Sequence, residues 1–200
     1  MTSKWFLGIA AFLGLFVSLA SFRFVFMGLE TAFQVMVEHA YDRRLMLLMH
    51  VSAAPVALAL GAFQVMPRFR RNKRALHRWM GRIYGVAVLV GGIGAMGIAL
   101  NAIGGFWAQV GFSALGVLWL GTTALAIWMA VNSRFVEHRI WILRSFALTF
   151  SAVTLRLQLV GFEIAGLPYE QSSVWLAYTC WIPNLIVAEY LIRTRPKIAI

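Results

Sequence analysis

The 200-residue chain has one cysteine, Cys180, so no intrachain disulfide can form and a cysteine-based metal site is excluded. Charge is scarce too: 12% of side chains are charged, and only seven of those are Asp or Glu. There is no phosphate-binding glycine loop, no zinc-protease helix and no combination of nucleophile, base and acid, which disfavours hydrolytic enzymes. What fills the chain instead is apolar. Hydrophobic residues make up 61% of it and the mean hydropathy is +0.78, more than a soluble core can absorb. Several apolar stretches approach or exceed the roughly 18 residues needed to cross ~30 Å of hydrocarbon as a helix. The formal charge of +11 would suggest a nucleic-acid partner in a soluble protein. Here the cations sit in short loops between apolar segments, so membrane topology explains them and nucleic acid is not an expected partner.

The sequence predicts an all-α membrane protein, a bundle of about six transmembrane helices with both termini cytoplasmic. The expected spans are Trp5 to Arg23, Leu45 to Met66, Trp79 to Leu100, Phe106 to Val131, Ile140 to Val160 and Val174 to Ile192. They form a single domain over residues 1–200, with a four-helix core at about 45–160 and flanking helices at 5–23 and 174–192. Lys4, Arg68, Arg70, Arg71, Lys73, Arg74, Arg78, Arg134, Arg139, Arg193, Arg195 and Lys197 then fall on one side, which the positive-inside rule makes cytoplasmic. The other side carries Glu30, Glu38, Asp42, Glu163 and Glu170, with Arg43 and Arg44 as its loop cations. Trp5, Trp79, Trp107, Trp128, Trp141 and Trp175 lie near span ends, where an indole prefers the headgroup region. Ser18-Leu19-Ala20 resembles a signal cleavage site, after which five spans would remain; the length of the apolar run favours a first span. Leu29, Phe33, Met36, Val37 and Ala40 share one helical face opposite Glu30, Gln34, Glu38 and Asp42, predicting an outer-face surface helix or a solvated connector.

Four histidines carry most of the chemical information: His39, His50, His77 and His138. His77 and His138 precede the third and fifth spans, which run in the same direction, so both imidazoles are expected at the cytoplasmic boundary. Each is followed by arginine, Arg78 and Arg139, with Arg82 and Arg144 within two turns. Two histidines at matched depth can hold one haem iron as axial ligands, with the arginines pairing with its propionates. Gly81 and Gly85 share the face of His77 and would leave room for a flat macrocycle. The same His-Arg pairs also suit lipid phosphate, and small-residue spacing suits ordinary helix packing.

His138, Ser145, Thr149 and Arg156 lie at offsets of 0, 7, 11 and 18 on one stripe of the fifth span. Facing lipid, such a stripe would cost about 2.5–3.5 kcal/mol per charge, so it is expected to face the bundle interior as a polar path or site. His50 and Arg156 match in depth near the outer face, predicting an outer polar site or, for His50, a hydrogen bond to a neighbouring helix. About fifteen residues, ~22 Å of helix, separate His50 from His77, so they cannot share a cofactor. A second haem would need Met96 or His39 as a further ligand. Pro55 and Pro183 should bend their helices, and Glu189 is expected to pair with Arg193 four residues on.

From about Leu45 to Leu157 the residues His50, Leu76-His77-Arg78-Trp79-Met80-Gly81-Arg82-Ile83-Tyr84, His138-Arg139, Arg144-Ser145 and Arg156 resemble domain-of-unknown-function family 2306, a group of bacterial predicted membrane proteins. This resemblance implies a multi-pass protein of the bacterial inner (cytoplasmic) membrane and carries no particular activity. More distantly, His77 with Gly81 and His138 on alternate spans resemble the four-helix core of transmembrane b-type dihaem cytochromes. That resemblance implies electron transfer with haem b at His77 and His138. It makes membrane lipids, quinone or a larger membrane complex the partners. The fourth span has no histidine to match His50, so one inner haem fits better than two. The alternative is a non-catalytic accessory subunit or lipid-binding partner.

Overall fold

The computed structural model describes residues 4–27 and 42–194, and every regular element among them is helical. In chain order these are α1 (Lys4–Ser21), α2 (Arg23–Phe26), α3 (Arg44–Gln64), α4 (Pro67–Asn72), α5 (Arg74–Ala99), α6 (Gly105–Val131), α7 (Phe135–Thr149), α8 (Ser151–Ile164), α9 (Tyr169–Thr179) and α10 (Ile182–Thr194). The surface helix expected over residues 29–40, with His39, lies outside the described residues.

Among the described residues four helices are long and apolar enough to cross a membrane: Arg44–Gln64, Arg74–Ala99, Gly105–Val131 and Phe135–Ile164. The last comprises α7 and α8, joined at Phe150 with φ −69° and ψ −11°, still right-handed helical. The expected first and sixth spans differ from these. The expected first span corresponds to the 18-residue α1, whose apolar stretch among the described side chains is Gly8–Ser21. The sixth is divided into α9 and α10 at Cys180 and Trp181, just before Pro183, whose missing N–H cannot continue the ladder. Pro55, by contrast, sits inside an uninterrupted α3.

Two compact units divide the chain, Met1–Ile98 and Ala99–Ile200. In the first, α1 packs on α3, where the buried Ser18 hydroxyl donates to the Pro55 carbonyl (2.7 Å). Glycines on α5 let α3 come close: a Cβ on Gly94 would meet the Met46 carbonyl at 2.5 Å and the His50 nitrogen at 2.7 Å. In the second unit α6 and α7 pair along their length, α9 packs on α6 and α8, and α10 packs on α7. The α6 helix starts at Gly104, whose φ of +101° suits glycine and whose Cβ position is filled by the Ser173 side chain.

The indoles of Trp79, Trp107, Trp128 and Trp175 are exposed, whereas Trp119 and Trp181 are buried. Cys180 is a buried thiol at the break in the sixth helix.

Candidate functional site

Polar groups inside an apolar bundle need partners, because hydrocarbon offers none. In the first unit His50 lies at the closest approach of α3 and α5. Its Nδ1 is 2.9 Å from the Gly91 carbonyl. A carbonyl only accepts, so Nδ1 carries a proton and donates it. Arg43 donates from Nη1 to the Gly97 carbonyl (2.9 Å), one glycine pair further along the same crossing. Met96 is half-buried on α5.

His77 is half-buried in the first turn of α5. Gln64, the last residue of α3, reaches it: Nε2 donates to the His77 carbonyl at 3.4 Å. The same side chain occupies the space over Gly81, whose Cβ would meet Gln64 Oε1 at 3.2 Å. The room expected over Gly81 for a flat macrocycle is therefore taken by the buried Gln64. Sequence reasoning missed Gln64, although a lone amide ending an apolar span was a signal that it had something to bond. Arg78 and Arg82 are exposed, and Arg82 lies over the Trp79 ring, 4.9 Å from its centroid.

The second unit holds the fifth-span stripe, and its middle is buried as expected: Ser145 and Thr149 face α6. Ser145 and Thr123 share a hydroxyl hydrogen bond of 2.6 Å, and Trp119 Nε1 donates to Thr149 Oγ1 at 2.8 Å. One step toward the helix start, His138 Nδ1 is 2.8 Å from the Ala126 carbonyl, so here too Nδ1 donates. His138, Ser145 and Thr149 thus meet Ala126, Thr123 and Trp119 in antiparallel order, forming a hydrogen-bonded seam. At the other end of the stripe Arg156 donates from Nη1 to the Ala152 carbonyl of its own helix (2.9 Å).

A second polar stripe on the same helix faces the broken sixth helix. Arg144 grips Glu189 with two donors, Nε at 2.5 Å and Nη2 at 3.1 Å, and its guanidinium lies over Trp141 at 4.4 Å. Asn184 and Thr154 bond mutually at 2.9 and 3.1 Å, and Gln158 and Thr179 are joined at 3.2 and 3.3 Å. Glu189 is held directly by Arg144, a planar fork on a facing helix that engages both carboxylate oxygens, while the expected partner Arg193 acts on it through its charge. Arg144 is thereby committed to a carboxylate of its own chain.

Among the described residues no group of three or more His, Cys, Asp and Glu is gathered that could hold a metal ion. An axial haem pair needs only two histidines. The Nδ1–H donated by His138 to a backbone carbonyl is the outer contact by which ligating histidines are oriented, so this residue fits the group.

A family model described as a predicted membrane protein, DUF2306, matches residues 47–192. No curated protein and no solved structure matches the chain.

Proposed function

The chain belongs to the DUF2306 family of predicted membrane proteins, and from that premise we propose that it binds b-type haem for transmembrane electron transfer, with His138 and His77 as axial ligands. The observation that supports this reading is the His138 ring. Its Nδ1–H is held on the Ala126 carbonyl, the kind of outer contact that orients ligating histidines. His77 lies in the first turn of α5 and His138 in the first turn of α7, and each helix starts from a basic connection. Bound haem supplies one-electron chemistry at a potential set by its ligands and surroundings. The chain's own part is to hold the two imidazoles, and quinol or a small reductant is the donor class. His50 makes the same kind of Nδ1–H contact, to Gly91, and is a candidate outer ligand or proton carrier with Arg156. The propionate role is not carried over to Arg144, which Glu189 engages, nor to the exposed Arg78 and Arg82.

In this reading the protein sits in a bacterial inner membrane with both termini cytoplasmic, α1 forming the first crossing and the α9–α10 pair a broken sixth. The test is colour. Detergent-purified protein is expected to show a Soret band, natively or after haem addition, that His138→Ala and His77→Ala abolish and His50→Ala retains. A monodisperse protein that gains no band with haem overturns the reading.

A second reading, a non-catalytic accessory subunit of a larger membrane complex, is favoured by the seam itself. Ser145 with Thr123, and Thr149 with Trp119, are joined by hydrogen bonds between helices, as in a structural bundle. It predicts that a tagged chain captures the same membrane proteins whether or not His77 and His138 are replaced by Ala.

A further inference from the structure

We infer that Arg74, Arg78 and Arg82, with Trp79, form a binding site on α5 for the phosphate of an anionic phospholipid. The three arginines are spaced by four residues, so they advance about 40° per step and line one face over two turns. All three are exposed, and Trp79 beside them is 62% exposed, with Arg82 over its ring.

The length of α5 sets the depth of this face. Its 26 residues span about 39 Å, some 9 Å more than the ~30 Å of hydrocarbon. The surplus at the end that begins with Arg74 places the first turns at headgroup level. An indole is favoured there, and Arg82 can extend its guanidinium toward the phosphates.

Charge complementarity selects the ligand. Two arginines elsewhere find carboxylates: Arg134 pairs with Glu137 and Arg144 with Glu189. Between Asp42 and Glu137, however, the sequence contains no Asp or Glu at all. The stripe therefore lies in a stretch of chain that supplies cations and no anions. A guanidinium fork matches two phosphate oxygens, and an adjacent exposed indole suits the headgroup and upper acyl region.

The test is native mass spectrometry of the full-length protein in detergent, titrated with phosphatidylglycerol, phosphatidylcholine or inorganic phosphate. The expected result is preferential retention of phosphatidylglycerol. That preference should fall on the order of fivefold per arginine removed across Arg78→Gln and Arg74→Gln/Arg78→Gln/Arg82→Gln. Arg70, Arg71 and Lys73 stay in place to maintain loop charge. Arg78→Lys should retain most of the binding, and the single Arg78→Gln variant decides the matter if the triple variant does not purify. Equal retention of phosphatidylcholine, or no loss in the variants, overturns the inference. Competition by inorganic phosphate that displaces the lipid completely would make the site one for free phosphate and overturn it as well.

Discussion

At the scale of single residues, the informative groups are those whose neighbours leave them no alternative. Glu189 is one. Exchanging it for Gln removes the carboxylate held by two donors of Arg144, and the expected loss is about 1–2 kcal/mol. That lowers the melting temperature in detergent by several degrees, at roughly 2–4 °C per kcal/mol for a chain of this size. Arg193→Gln is expected to change it little, and equal effects of the two would contradict the assignment. Gly94 is another. A methyl group there meets the backbone of α3 at Met46 and His50, so Gly94→Ala is expected to cost about 1–3 kcal/mol in the same assay. Gly121, with nothing within 4 Å of its Cβ position, should accept Ala at no cost. The histidines as a set were legible in the sequence, because imidazoles are rare in so apolar a chain. Their Nδ1–H contacts were not, since the Gly91 and Ala126 carbonyls that accept them are backbone groups with no sequence signature.

At the scale of elements, the span formed by α7 and α8 organises the second unit through two polar stripes on different faces. The first was readable from the 100° spacing of His138, Ser145 and Thr149. The partners Thr123 and Trp119 were not, because threonine and tryptophan are unremarkable in a membrane helix. The second stripe was missed because its partners lie on a helix whose break resets the register between Thr179 and Asn184. Both prolines were expected to bend their helices; Pro183 lies just after the break, and the helix around Pro55 runs on uninterrupted. The seam has a measurable coupling. A double-mutant cycle on Thr123→Val and Ser145→Ala is expected to give about 0.6 kcal/mol of interaction energy, the average for such bonds between membrane helices. Strict additivity would show that the bond contributes nothing to stability.

At the scale of the whole molecule, apolar composition made the all-helical membrane architecture legible, and apolar run length located four candidate spans to within a few residues. The first segment is the 18-residue α1, apolar over Gly8–Ser21 among its described side chains, and the sixth escaped the same rule through its interruption. Alternation of the four long helices across a bilayer is the claim on which both the haem reading and the lipid site depend, and the buried Cys180 makes it simple to test. In a Cys180→Ala background, Asn72→Cys and Asn132→Cys are expected to react with an impermeant thiol reagent only from the cytoplasmic side, and Leu100→Cys and Leu167→Cys only from the opposite side. Labelling of positions 72 and 132 from opposite faces would contradict the account.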